Sequence, residues 1–142
     1  MTVLLVLALA VGAEPTVAAN ICLLAPIWAC KAEGQLVLVD DKGVNRTPLA
    51  GATVQLRREG RDTVIAECTS DRDGHFVLVD VPSGVYELRV THVAGSLSVE
   101  LRLQSASVAR KRRDNWIEIG VGMVRPEGCP FSYAKTCKRS TR

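Results

Sequence analysis

The chain has 142 residues, of which 47% are hydrophobic, 23% charged and 4% aromatic, and its formal net charge is +3. That length suits one domain with one core, and the balance is ordinary for a globular protein, which excludes the classes marked by extreme composition. With so few aromatics the core must be aliphatic, and the abundance of valine leans towards strands.

The first apolar stretch, Val3 to Val11, is too short to span a bilayer as a helix. It fits the apolar region of a secretory signal followed by small residues. Residues 1–19 therefore read as a signal segment cleaved after Ala13 or Ala19, although no Lys or Arg precedes the run. This places the mature chain in a secreted, periplasmic or other extracytoplasmic setting.

Residues 20–33 form a cysteine-containing N-terminal segment. Five cysteines follow the signal: Cys22, Cys30, Cys68, Cys129 and Cys137. Export makes disulfides chemically accessible. Cys22 and Cys30 have the same spacing as Cys129 and Cys137, and the two pairs flank the domain. Four cysteines allow three connectivities. Two local bridges, Cys22 to Cys30 and Cys129 to Cys137, close the shortest loops, while end-to-end pairing is open if the termini meet. Cys68 is then a free thiol, facing inward as a small core residue. No CxxC pair exists, and neither His75 nor His92 is spaced to complete a zinc set, so neither a metal site nor a cofactor is expected. The segment Ile27-Trp28-Ala29-Cys30 also resembles a bacterial lipobox, which would make the protein lipid-anchored at Cys30.

From Gly34 the pattern has period two. Leu36 and Leu38 alternate with Val37 and Val39. Ala52, Val54 and Leu56 alternate with Thr53, Gln55 and Arg57. Val64, Ala66 and Cys68 share a face. Phe76 and Leu78 begin another strand after the turn Ser70-Asp71-Arg72-Asp73-Gly74. Tyr86, Leu88 and Val90 follow the turn Pro82-Ser83-Gly84. Leu97, Val99, Leu101 and Leu103 give the cleanest alternation. Ile117, Ile119, Val121 and Met123 lie opposite Trp116, Glu118, Gly120 and Gly122. Short strands with turns every eight to twelve residues indicate an all-β fold, here a seven-stranded antiparallel β-sandwich over residues 34–124. A basic, cysteine-containing tail, residues 125–142, completes the chain. From Ser105 onward there are nine Lys or Arg against three Asp or Glu.

Three motifs carry a resemblance. Pro48-Leu49-Ala50-Gly51-Ala52-Thr53-Val54-Gln55-Leu56 matches a "PLxGAxVxL" segment. Thr69 to Phe76 is a "TxxDGxF" turn with one extra residue. Val81-Pro82-Ser83-Gly84-Val85-Tyr86-Glu87-Leu88-Arg89-Val90 matches "VPxGxYxLxV". In this order they resemble the carboxypeptidase regulatory-like domain of the transthyretin-like (prealbumin-like) sandwiches. The resemblance covers residues 34 to about 95 and implies a Greek-key sandwich without catalytic chemistry of its own. The zinc-carboxypeptidase activity of such proteins belongs to a neighbouring domain, and this chain has no His-x-x-Glu ligand pair. The wider group includes hydrolases of 5-hydroxyisourate that carry a C-terminal Tyr-Arg-Gly-Ser segment. Here the chain ends Cys137-Lys138-Arg139-Ser140-Thr141-Arg142, without it.

The remaining candidates are sparse. His75, Asp73 and a serine can be imagined as a triad, but no G-x-S-x-G nucleophile motif is present. Related pilin sandwiches form Lys–Asn isopeptide bonds beside a carboxylate. Lys31, Asn115 and Glu87 are the residues available here, with Glu87 facing outward by alternation. Arg110, Lys111, Arg112 and Arg113 are candidate contacts for an anionic partner, against the plain reading of a solvated loop. Sequence-specific nucleic-acid binding lacks an aromatic stacking row. The sequence thus points to an exported, non-catalytic binding or structural module that contacts a protein or glycan. The alternatives are a small transthyretin-like hydrolase and a structural component of the cell envelope.

Overall fold

The structure, a computed structural model, describes residues 21–93, 95–105, 107, 115–123 and 128–139. Its strands are β1 (Ile21–Ala29), β2 (Glu33–Val39), β3 (Arg46–Pro48), β4 (Thr53–Arg58), β5 (Val64–Thr69), β6 (His75–Val77), β7 (Gly84–His92), β8 (Gly95–Leu103), β9 (Trp116–Val121) and β10 (Tyr133–Cys137). The first sheet runs β1-β8-β7-β4-β5. The second runs β10-β9-β2-β3, and β6 also pairs with β2. Among the described residues no helix is long and apolar enough to cross a membrane.

The alternating residues build the core as their period requires. Val54, Leu56, Leu88, Val90, Val99 and Leu101 of the first sheet are buried against Leu36, Phe76, Ile117 and Ile119 of the second. Full burial of such a side chain contributes about 1.5–3 kcal/mol, so the sandwich is held mainly by these inner faces.

The recurring motifs turn out to be joints. The Ser70 hydroxyl, buried, donates to the Leu49 carbonyl (2.7 Å) and accepts the Ala52 amide (3.0 Å), which ties the PLxGA segment to the following turn. Asp71 Oδ1 accepts the amides of Asp73 (2.9 Å) and His75 (2.8 Å). Gly74 has φ +77°, and a Cβ there would lie 2.2 Å from the Leu36 carbonyl oxygen, so the turn can dock on β2 only with glycine. Tyr86 donates its hydroxyl to the Pro82 carbonyl at 2.6 Å, closing the VPxGxY turn.

The all-β sandwich stands, with two corrections to the seven-stranded antiparallel expectation. There are ten strands among the described residues, because β3 is only three residues long and β1 and β10 lie in flanking segments without clean alternation. In β1, Pro26 interrupts the pattern, and the register shifts between Leu24 and Ile27. The ladders β1/β8 and β2/β9 are parallel, since their partners are joined through distant crossovers and not by hairpins.

The cysteine pairing is also corrected. Cys22 is bonded to Cys129, 107 residues away, with Cα atoms 5.8 Å apart, so neither of the two local bridges forms. The local pairs fail for a geometric reason. Cys22 lies at the start of β1 and Cys30 just beyond its end, so eight extended steps separate them by roughly 26 Å, well beyond disulfide reach. The termini do meet, because β1 and β10 are edge strands of opposite sheets and lie side by side. Cys68 is free and half-buried, packed against the core. Burial pushes its thiol pKa up, which keeps it protonated and unreactive. The signal segment, residues 1–19, and the basic run Arg110–Arg113 lie outside the described residues.

Candidate functional site

The outer face of the second sheet brings together the rings of Trp116 and Tyr133 and several cations. Strand alternation puts Trp116, Glu118 and Gly120 of β9 on this face, opposite Cys137, Lys135 and Tyr133 of β10. On the other side of β9, Gln35 lies opposite Glu118, and His75 of β6 lies opposite Gln35.

Glu118 is the centre. It accepts the Tyr133 hydroxyl at 2.6 Å, and Lys135 Nζ lies 3.8 Å from the same carboxylate oxygen. The Cys137 sulfur is 3.9 Å from its other oxygen. Gly120 makes this possible, because a Cβ there would come within 2.2 Å of the Tyr133 ring, which lies across the bare backbone. Burial and the bond to Glu118 raise the Tyr133 pKa, so the phenol stays protonated and donates.

Cations rest on both large rings. The Arg46 guanidinium lies 5.1 Å from the Tyr133 centroid and Lys135 Nζ 5.4 Å from it. Arg139 lies 4.7 Å from the Trp116 centroid, and His75 meets the same ring edge-on at 5.6 Å. Lys31, Glu33, Asn115, Trp116 and Arg139 line an adjoining cleft of about 180 Å³. Lys31, Arg46, Lys135 and Arg139 are exposed, against Glu33 and Glu118. Among the described residues neither Arg46 nor Arg139 pairs with a carboxylate. Chemically, this is a positively charged surface with fixed aromatic platforms, suited to holding an anion.

Other groupings are weaker. Ligand atoms of Asp71, Asp73 and His75 lie within 4.8 Å of one another. Asp71 Oδ1 already accepts two backbone amides there, so turn geometry accounts for the cluster. His75 Nδ1 is 4.0 Å from Asp71 Oδ2, but among the described residues no hydroxyl or thiol is hydrogen-bonded to the imidazole, so the imagined triad is not assembled. Glu87 pairs with Arg89 at 2.7 Å on the first sheet, far from the cleft that Lys31 and Asn115 line, so the isopeptide set is not brought together either. Lipid anchoring at Cys30 would require cleavage just before that residue, which removes all of β1 and its bond to Cys129.

Of the residues singled out in the sequence, the structure joins Cys22 to Cys129, hydrogen-bonds the Cys30 amide to Asn115 and sets Cys137 against Glu118. Sequence reasoning missed the cluster around Glu118. The outward alternation of Trp116, Glu118 and Gly120 was visible. The matching alternation of Tyr133 and Lys135 was hidden in the tail, and nothing local shows that the tail pairs with β9.

Residues 37–111, somewhat more than half of the chain, match the family described as carboxypeptidase regulatory-like domain. Among solved structures, that of a Klebsiella pneumoniae 5-hydroxyisourate hydrolase is similar at 15% identity, covering 77% of this chain and 100% of that one, with a TM-score of 0.44. No curated protein sequence matches the chain. Trp116, Glu118, Tyr133, Lys135 and Arg139 all lie beyond the matched residues.

Proposed function

The chain belongs to the carboxypeptidase regulatory-like family, and from that premise we propose that it is an exported, non-catalytic module that binds an acidic glycan on the outer face of its second sheet. The observation carrying this reading is the cluster of Arg46, Lys135 and Arg139 on the Tyr133 and Trp116 rings, with Lys31 at the adjoining cleft. Uronate carboxylates would meet these cations, and guanidinium groups already held over rings lose little freedom on binding. Arg110–Arg113 precede Asn115, a residue of the cleft, by two to five positions, and are proposed to extend the contact. The disulfide between Cys22 and Cys129 supports an oxidising, extracytoplasmic setting. Family membership favours binding over catalysis, and His75 without a bonded nucleophile gives the hydrolase reading no support.

The test is titration of the mature protein with polygalacturonate, with neutral dextran as control. Polygalacturonate should bind with an affinity that falls as salt rises. Joint Arg46→Glu and Arg139→Glu substitution should weaken binding at least tenfold. Absence of binding, or equal binding of dextran, would overturn the reading.

A further inference from the structure

We infer that the groove along the seam between the two sheets is a second subsite for the glycan, in which the Trp28 indole stacks against a sugar ring further along the acidic chain. The inference rests on the acidic-glycan reading and carries it over the edge of the second sheet.

The outward position of Trp28 is built by the backbone. Cys22 and Trp28 are six residues apart, so strict alternation would put both side chains on one face of β1. Yet Cys22 is buried, at 3% exposure, and Trp28 is 42% exposed. The cause is a bulge. Leu24 is partnered by Val99 and Ile27 by Leu101, so three steps along β1 match two along β8. One extra residue moves every later side chain to the opposite face. Pro26, which has no amide to give the ladder, falls inside the shift. Beyond it Ile27 and Ala29 enter the core, and Trp28 is turned out.

There Trp28 meets a groove where β1, the edge of the first sheet, borders β10, the edge of the second. Pro26, Ile27, Trp28, Lys135 and Thr136 line it, and its volume is about 530 Å³. Small-molecule sites span about 300–1,000 Å³. The lining divides as a sugar ring divides. Trp28, Pro26 and Ile27 are apolar and suit the C–H face, while Lys135 and Thr136 are polar and suit the hydroxyls and carboxylate. The Arg102 guanidinium lies over the indole, 5.2 Å from its centroid, and Glu100 holds the same guanidinium at 3.1 Å. The ring is steadied while that charge is neutralised within the first sheet, so Trp28 adds stacking and no further cation.

Lys135 makes the groove continuous with the cationic face. It lines the groove, and its Nζ lies 5.4 Å from the Tyr133 centroid. Tyr133 precedes it by two residues along β10, about 7 Å. A uronate chain held at Tyr133 and Arg46 therefore passes Lys135 before it reaches Trp28. The ammonium sets the sign of the occupant, because it attracts an anionic chain and repels a cationic one.

The test is calorimetric titration of the mature protein with oligogalacturonates of two, four, six and eight units. Affinity should rise with length until one chain covers both rings. Trp28→Ala should weaken binding of the eight-unit chain at least about threefold and leave the two-unit chain unchanged. No charge is removed, so that loss should be the same at low and high salt. The loss in Arg46→Glu with Arg139→Glu should instead shrink as salt rises. Trp28→Phe keeps a stacking ring and should recover most of the affinity, whereas Trp28→Leu, which fills space without a ring, should not. An intact Cys22–Cys129 bond, read by mass spectrometry, shows that β1 is still held in each variant. Equal loss at every length, no loss at any length, or equal binding by Trp28→Leu and Trp28→Phe would overturn the subsite and leave the glycan reading standing. So would a Trp28→Ala protein that sediments as a smaller species with unchanged glycan affinity, which would assign the groove to a second copy of the chain. Failure of the parent protein to bind any oligomer would remove the glycan reading and the subsite with it.

Discussion

The inner faces of the two sheets are alike, and their outer faces are not. On the first sheet several charges pair within the sheet: Arg89 reaches Glu87 at 2.7 Å, Arg102, which also lies 5.2 Å from the Trp28 centroid, reaches Glu100 at 3.1 Å, and Gln55 donates to Glu67 at 2.9 Å. Such exposed pairs contribute little to stability, but they leave little net field for a partner. On the second sheet the cations lie over rings, and among the described residues only Lys135 of them approaches a carboxylate. Polar residues can thus make one face inert and the other receptive. What separates them is whether each charge finds its partner within its own sheet.

The contrast depends on β10 staying in place, and the largest expected effect attacks that. Joint Cys22→Ser and Cys129→Ser substitution opens a loop of more than a hundred residues, which costs about 4–5 kcal/mol in the chain-entropy view. Urea unfolding should show that loss, and polygalacturonate binding should weaken with it, because β10 carries Tyr133 and Lys135. Gly120→Ala sharpens the contrast more locally. Its new methyl group would push the Tyr133 ring off β9, at a cost of about 1–3 kcal/mol for overpacking, again read by urea unfolding. Next comes charge reversal in parallel on the two faces. Arg46→Glu with Arg139→Glu should cost at least tenfold in affinity, about 1.4 kcal/mol. Arg89→Glu with Arg102→Glu should leave binding within about twofold, since those cations are already paired. Equal losses on both faces would erase the distinction and reduce the attraction to net charge alone.

The sandwich was legible because strand alternation is a local signal. Val54 and Leu56, Leu97 to Leu103, and Ile117 to Val121 declare their inward faces within a few residues. The three motifs were legible for the same reason, as each is a turn whose atoms lie close in sequence. The binding face was not. It depends on β10 pairing with β9 and β6 pairing with β2, and nothing within Tyr133–Cys137 or His75–Val77 specifies those neighbours. The cysteine spacing was visible but misassigned. Equal spacing suggests two small loops if each segment folds back on itself. Here β1 is extended, and Cys22 reaches Cys129 at the far end of the chain instead.

The smallest expected effect isolates the centre of the receptive face. Tyr133→Phe removes one hydrogen bond from Glu118, partly exposed but to a charged acceptor, and should cost about 1 kcal/mol. Its pH dependence is the sharper readout. The phenol pKa is raised in the folded protein, by burial first and by Glu118 second. Below the ordinary tyrosine pKa near 10, folded and unfolded chains both hold the proton, and the stabilisation is fully present. Above it the unfolded chain releases the proton while the folded chain keeps it, so stability falls as pH rises. Urea midpoints from pH 8 to pH 11 should therefore decline more steeply in the parent protein than in Tyr133→Phe, and the gap between them should close. A gap that stays constant across that range would mean that Glu118 does not hold the phenol. The cations over the Tyr133 ring would then stand on a platform no firmer than any exposed tyrosine, and the difference between the two faces would rest on charge count alone.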